Sequence, residues 1–361
     1  MIRIGAGSPR RLLSTLQPSG LDVAVLVFLC LPLVSAAVQG GSLSLFLYFA
    51  VNAGAPYVGL RLLLAASPEL NRMTLQALLV IGLGVSVIGI GEAVLDFNVS
   101  SVFANVDLLQ WDREYERGGL PRIDSSLGHP IALGAFLLFP LALWLTQSGR
   151  RWALTVPVVL VSLILTFSRG PWVGAALLMT VLILALTSGK QRLIAVGLLS
   201  AAAAVFLLVV PVARELLLDS FGGDSVAGDN AELRADVIRG SFEQISVLGN
   251  PLPQSQTGLL LPGNADVASF LALTVLRTGI VGLLSWAAIG VLIWAAFVGA
   301  IRRRERDFLV VSALMLVQFA LLIGMSMITN YQHFFWLGLA LLASVQAASR
   351  RAAAVGYPAT R

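Results

Sequence analysis

Two apolar runs, Trp152 to Thr166 and Val173 to Thr187, are joined only by Phe167-Ser168-Arg169-Gly170-Pro171-Trp172. Runs that long and that apolar are not the core helices of a soluble domain; they are membrane spans. Arg169 then lies at or near a membrane boundary. An ionisable group in that position is costly unless it pairs, reaches water or binds something anionic.

The rest of the chain agrees with this reading. Of its 361 residues, 57% are hydrophobic and 12% charged, about half the charged fraction of a soluble domain. The single cysteine, Cys30, falls in the first apolar run, so there is neither a disulfide framework nor a Cys/His zinc pattern. Arg3, Arg10 and Arg11 precede the apolar segment Leu21 to Val38 in the manner of a signal peptide. The polar region is long and no small-x-small cleavage site leads into a soluble domain, so the segment reads as a retained first helix. The net charge of +5 is not a nucleic-acid signal, because the excess sits in short connections where membrane topology explains it.

With about 20 apolar residues per crossing, spans are predicted near 21–39, 42–60, 73–94, 128–148, 152–168, 171–188, 192–212, 280–300, 308–328 and 331–348. The expected fold is therefore an all-α polytopic transmembrane protein of about ten spans, with two outer loops that contain short helices. The tight boundaries, at 39–42 and 167–171, fall on Gly-Gly and Arg-Gly-Pro turns. This arrangement puts Arg61 and Arg72, Arg150 and Arg151, Lys190 and Arg192, Arg302 to Arg304 with Arg306, and Arg350 and Arg351 on one side, together with the N-terminal arginines. That side is the cytoplasm. The predicted organisation is a cytoplasmic segment 1–20, one transmembrane domain 21–348 and a cytoplasmic tail 349–361.

Two segments of the transmembrane domain are too long to be connectors. The first outer loop is 95–127 and the second is 213–279, where eight acidic residues accompany Arg214, Arg234, Arg239 and Arg277. Within the second, Ala231 to Leu248 is a predicted helix capped by Asn230 or Asp229, with Leu233, Val237, Ile238, Phe242, Ile245 and Val247 as its apolar stripe. Val267 to Leu276 is a predicted interfacial helix, with Asp266 near its start. Gly82-Leu-Gly84 and Gly89-Ile-Gly91 lie inside a span, where close helix packing explains them better than a phosphate loop. No metal motif is visible.

Several polar residues carry two readings. Arg169 either snorkels or, on an acidic outer side where a topology arginine is not expected, clamps a phosphate with its planar fork. His129, in Arg122-Ile-Asp124-Ser-Ser-Leu-Gly128-His129-Pro130, is either a helix start followed by Pro130 or a polar site residue. Arg122 is an anion-binding candidate at the head of a span. Arg234 and Arg239 either pair locally with Glu232, Asp236 or Glu243 or join Arg169 in a basic pocket that attracts a diphosphate. Glu92 reads as a solvent-facing helix terminus. Tyr331, Phe334, Phe335 and Trp336 beside His333 read as an aromatic belt.

At four places the sequence resembles the bacterial O-antigen ligase and polymerase superfamily. Gly128-His129-Pro130 with Ala132, Gly134 and Phe136 is similar to a His-Pro-Asn segment that opens a membrane helix, with Ile131 in place of the asparagine. Phe167-Ser168-Arg169-Gly170 is similar to a Ser-Arg-Gly segment. Arg234, Ile238 and Gly249-Asn250-Pro251-Leu252 resemble a loop pattern of arginine, bulky residue and turn. Ser269-Phe270-Leu271, Gly279 and Gly282-Leu283-Leu284 resemble the segment after that loop. Together these cover roughly residues 120–348. One departure stands out: where ligases carry a histidine, this chain reads Val267-Ala268-Ser269-Phe270-Leu271, which favours the polymerase side.

The resemblance implies an integral glycosyltransferase of the bacterial cytoplasmic membrane, with both termini cytoplasmic and its site facing outward. Its donor would be an undecaprenyl-diphosphate-linked glycan and its acceptor a second glycan or a lipid core, with no cofactor, metal or nucleic acid. Arg169, Arg234, Arg239 and Arg122 would bind the donor diphosphate, and Asp266 or Glu243 would assist attack as the base. The opposing reading is a transporter of lipid-linked glycan or lipid, for which a broken helix or paired repeats would speak. A noncatalytic assembly subunit is a third.

Overall fold

The computed structural model of the chain describes residues 18–40, 43–66, 68–97, 99, 116–117, 120–147, 155–187, 189–190, 193, 197, 226–250, 269–324 and 331–354. The described part is helical apart from one small hairpin. Helices α1 (Gly20–Gln39), α2 (Ser44–Phe49), a π-helical turn (Ala50–Gly54), α3 (Ala55–Ala66) and α4 (Pro68–Leu95) come first. Strands β1 (Glu116–Arg117) and β2 (Leu120–Pro121) pair antiparallel. Then come α5 (Pro130–Leu143), α6 (Thr155–Leu165), α7 (Arg169–Leu186), α8 (Val226–Glu243), α9 (Phe270–Arg303), α10 (Arg306–Gly324) and α11 (Tyr331–Ala354).

Among the described residues, six helical segments are long and apolar enough to cross a membrane, and two further apolar helices, Pro130–Thr146 and Thr155–Leu165, are shorter. Their outward faces are greasy: Val23, Val27 and Val38 on α1, Val80 and Val87 on α4, and Leu284 and Val291 on α9 are all exposed. A surface of that kind suits lipid and not water. The chain is a membrane-embedded helical protein. The expected span 192–212 lies almost entirely outside the described residues. The described part of the first loop holds the β1–β2 hairpin and a 3-10 turn (Ser125–Leu127); most of the rest of that loop, where a short helix is expected, lies outside the described residues.

Helix α5 is the axis of the bundle. All of its residues except Ile131 are buried, and it packs against α4, α6, α7, α10 and α11. A helix apolar all round has no solvent or lipid face to offer and belongs in the middle. Glycines let its neighbours come close. A Cβ at Gly82 would overlap Pro140 of α5, and one on Gly134 would overlap Pro171 of α7. The two glycine pairs of α4 divide: Gly82 and Gly89 sit at packing contacts, whereas Gly84 and Gly91 face open space. About one turn before Pro140, Gln318 of α10 donates to the Ala135 carbonyl at 2.7 Å.

A buried aromatic cluster holds α1, α9, α10 and α11 together. Trp286 lies 4.6 Å from Phe319, 4.7 Å from Phe270 and 5.7 Å from Phe335, ring centre to ring centre. Phe28 stacks on Trp336 at 5.9 Å. Phe335 and Trp336 are thus core residues and not part of an interfacial belt. Packing against four helices buries more apolar area than a place at the membrane surface offers.

A buried ion pair closes the other end of α1. Ser19 caps α1 in a reciprocal box with Asp22. The same carboxylate accepts from Arg61 Nε at 2.9 Å and Nη2 at 3.2 Å, and from the Tyr57 hydroxyl at 2.8 Å. Arg61 Nη1 goes on to Ser344 of α11 at 3.2 Å. Arg61 is therefore not a loop arginine marking the cytoplasm; it lies inside α3, 3% exposed. The pair joins α1, α3 and α11.

Losing one partner strands the other charge. Arg61→Met is expected to destabilise the protein by about 3–5 kcal/mol. The double change Asp22→Asn with Arg61→Met should recover most of that loss. Thermal unfolding in detergent reads both; equal unfolding temperatures for the single and double variants would contradict the pairing.

Candidate functional site

Several expected site residues meet where α4 and α6 end and α5 and α7 begin. The four-residue step Thr166 to Arg169 carries the geometry. Phe167 takes φ 45°, a left-handed conformation that is strained for a bulky residue. It is buried and edge-packed on Trp172 at 6.3 Å, while Trp172 Nε1 donates to the Leu163 carbonyl at 2.9 Å. The reversal is made by Thr166, Phe167 and Ser168. The Arg-Gly-Pro segment expected to form the turn is instead the start of α7, where proline at an early position leaves no helical bond unmade.

Arg122 locks this turn. Its Nε donates to the Thr166 carbonyl at 3.0 Å and its Nη2 to Ser168 Oγ at 2.8 Å. Next to it, Ile123 N donates to the Leu165 carbonyl at 3.3 Å. Ser168 precedes α7 but makes no side-chain capping bond. Its hydroxyl accepts from Arg122 and donates to the Thr166 carbonyl at 3.1 Å. Arg122 thus works on backbone and hydroxyl, and Arg169 opens α7 at the positive end of the helix dipole. Arg169 is half-buried.

Glu92 fixes the same segment from below. It is buried and accepts from Ser125 N and Val99 N, each at 2.8 Å, while Ser125 Oγ donates to the Val85 carbonyl at 3.1 Å. Glu92 is not the solvent-facing terminus expected of it, because the returning loop covers it. His129 is the N-cap of α5: its Nδ1 accepts from Ile131 N at 3.0 Å, which places the proton of the neutral ring on Nε2. Of the two readings of His129, the helix start is the one with a visible bond.

The second loop meets the bundle elsewhere. Helix α8 begins at Val226, so Asp229 and Asn230 lie inside it and do not cap it. Val237 and Ile238 pack on Ala272, Leu273 and Leu276 of α9, whereas Phe242 and Val247, expected on the apolar stripe, are exposed. The helix stops at Glu243 because the following residues leave it to pair with α9. Ile280 N donates to the Ser246 carbonyl at 3.0 Å, Val281 N to Val247 at 3.2 Å, and Asn250 N to the Leu276 carbonyl at 2.7 Å. Gln39 Nε2 adds a bond to the Gly249 carbonyl at 2.8 Å.

These bonds exist because α9 breaks at Gly279, with φ 63° and ψ −156°, a conformation open essentially to glycine alone. A Cβ there would overlap Ser246, and one on Gly249 would overlap the Arg277–Thr278 backbone. The break frees backbone groups of α9, and the loop satisfies them. The segment before it, Phe270 to Thr278, is the described part of the helix expected at 267–276.

The expected site residues therefore fall into separate groups. Arg122, His129 and Arg169 share one end of α5, α6 and α7. Arg239 and Glu243 lie exposed on α8, and Arg239 pairs locally with Asp236 at 3.4 Å. Arg234 is also on α8, and its side chain lies outside the described residues, as does all of Asp266. Arg277, expected in the loop, sits inside α9 and is 3% exposed. Its sign in the sequence was an arginine within Phe270 to Leu276 and Gly279 to Leu284, a run otherwise fit to be buried. No protein-family model and no curated protein matches the chain.

Two variants test the positioning. Arg122→Lys removes the fork that reaches both Thr166 and Ser168; proteolysis near residue 168 should become faster while overall unfolding temperature changes little. Gly279→Ala should release the 245–250 segment from α9, seen as faster amide exchange at Ile280 and Val281. Unchanged exchange would show that the loop does not depend on the break.

Proposed function

We propose that the chain is a glycosyltransferase of the bacterial cytoplasmic membrane. It has ten spans, both termini in the cytoplasm and its site on the outer face. It transfers or polymerises undecaprenyl-diphosphate-linked glycan during surface polysaccharide assembly, with polymerase favoured over ligase. One observation carries the reading. Arg122, in the stretch that leads into Gly128-His129-Pro130, bonds to Thr166 and Ser168, and so ties the lead-in of one segment that resembles that superfamily to another, Phe167-Ser168-Arg169-Gly170. The docking of Gly249 beside Gly279, two further points of resemblance, supports it.

In the proposed reaction an acceptor sugar hydroxyl attacks the anomeric carbon of the donor. The new C–O bond forms as the bond to the diphosphate oxygen breaks, and undecaprenyl diphosphate leaves with the electron pair. Arg169, at the head of α7, offsets the charge gathering on the leaving group; Arg234 and Arg239 stand apart from it on α8. Arg122 holds the turn that presents Arg169. The hydroxyl proton passes to a carboxylate, Asp266 or Glu243. The activated diphosphate linkage supplies the driving force.

The transporter reading gains one observation, the break in α9 at Gly279. That break lies near the start of α9, and Ile280 to Arg303 remains long enough to cross alone, so the two halves do not meet at a midplane site.

Purified protein in nanodiscs, given an undecaprenyl-diphosphate-linked oligosaccharide, separates the two. Arg169→Ala should reduce glycan transfer by about 100-fold or more with folding intact. Undiminished transfer by this variant would remove Arg169 from the site. Movement of lipid-linked glycan between leaflets of proteoliposomes, with no transfer, would establish the transporter.

A further inference from the structure

The α9–α10 turn and the end of α11 form a strongly basic surface away from the Arg169 turn. Helix α9 closes with Arg302 and Arg303, Arg304 caps it, and α10 opens at Arg306. Helix α11 carries Arg350 and Arg351 near its own end. The two groups are distant in sequence, and side-chain bonds hold them together. Arg303 Nη1 donates to Ser349 Oγ at 2.6 Å, and Ser349 Oγ donates to Glu305 Oε1 at 2.8 Å.

The carboxylates of this surface are matched locally. Glu305 accepts from Ser349, and Asp307 stands in the field of Arg306 and Arg72. Arg302, Arg304 and Arg350 are exposed and Arg351 is half-buried. None of the four makes a side-chain hydrogen bond or ion pair with another described residue. Arg304 caps α9 through its backbone, in a left-handed conformation with its N–H on the Ala300 and Ile301 carbonyls, so its side chain is not spent on the turn. Four fixed positive charges are left over.

The neighbouring surface shows what meets them. Leu284, Val291, Trp294 and Ile301 are exposed on α9. At about 3.6 residues per turn they run along one face, and Arg302 continues it. About 20 residues cross the hydrocarbon core. A span that begins at Ile280 therefore leaves the core near Ala300, and one that begins at Tyr331 leaves it near Arg350. Both arginine groups then stand at the level of the headgroups. Exposed Ile301, directly before Arg302, fits the boundary between acyl chain and headgroup.

We propose that this surface binds anionic phospholipid: a headgroup phosphate of the leaflet at that end is held between Arg302 and Arg304 on one side and Arg350 and Arg351 on the other. Arginine suits the task because its planar fork takes two oxygens of one phosphate. Membrane topology accounts for arginines at this end of the bundle; it does not require two groups locked together through Ser349. The bound lipid adds a clasp between α9, α10 and α11 that is independent of glycan transfer and of Arg169.

The test offers full-length protein in detergent equal amounts of phosphatidylglycerol and phosphatidylcholine with the same acyl chains, and native mass spectrometry counts the lipid retained. Wild type should prefer phosphatidylglycerol, and the preference should fall as salt rises. An arginine near an anionic surface is worth roughly fivefold in binding. Arg302→Gln with Arg304→Gln, and separately Arg350→Gln with Arg351→Gln, should each cut phosphatidylglycerol retention by about 10-fold or more. Phosphatidylcholine retention and the lipid-free unfolding temperature should not change. Should one double variant fail to fold, the other decides. Ser349→Ala keeps every charge but unties the two groups, and it should lower the preference as well. Equal retention of the two lipids by wild type, or a preference that survives a folded double variant or Ser349→Ala, would overturn the joined lipid site. Capture of poly-glutamate with no preference for the anionic lipid would overturn the lipid and identify an acidic protein as the partner.

Discussion

In a bilayer an ionisable group or a free backbone amide must find its partner within the protein, and this chain builds its tertiary contacts from that requirement. Asp22 and Arg61 satisfy one another and draw α1, α3 and α11 together. Glu92 takes two backbone N–H groups and pins the end of α4 to the segment leading into α5. The Gly279 break leaves α9 backbone groups to be met by residues 246–250. Apolar packing between lipid-facing helices gives little direction, because lipid tails compete with it. The polar closures supply the register.

The Arg122 closure has the largest bearing on function. Its guanidinium is committed to a strained turn, and the strain at Phe167 persists because Trp172 packs on the ring while the fork holds the chain on either side. On the proposed function, the two arginines then have different tasks: Arg122 positions and Arg169 binds. The same division separates His129, whose Nδ1 serves the start of α5, from the carboxylates of the second loop.

The membrane class, the long helices and the closeness of Gly82 and Gly89 to their neighbours were legible in the sequence, because apolar run length and small residues act locally. The segment before Gly279 was legible for the same reason. What escaped was pairing across the chain. Arg61 looks like a topology arginine until Asp22, far away in sequence, is seen against it. Glu92 looks solvated until Ser125 returns over it. Phe335 and Trp336 look like a belt because an aromatic residue near a helix start has the same composition whether it faces lipid or Trp286. The turn lies three residues earlier than expected because Arg-Gly-Pro is as compatible with a first helical turn as with a loop. The end of α8 was misplaced because its sequence does not reveal that residues 246–250 are needed by α9.

The central claim is that a lipid-linked diphosphate rests on the turn that Arg122 holds and Arg169 opens. A photoreactive undecaprenyl-diphosphate glycan, with its reactive group beside the phosphates, tests this directly when crosslinked to the protein in nanodiscs and mapped by peptide mass spectrometry. The account predicts label on peptides containing 122–129 and 166–172, lost on competition with unlabelled donor. Label confined to the 302–306 segment at the other end of α9, or insensitive to competition, would contradict it.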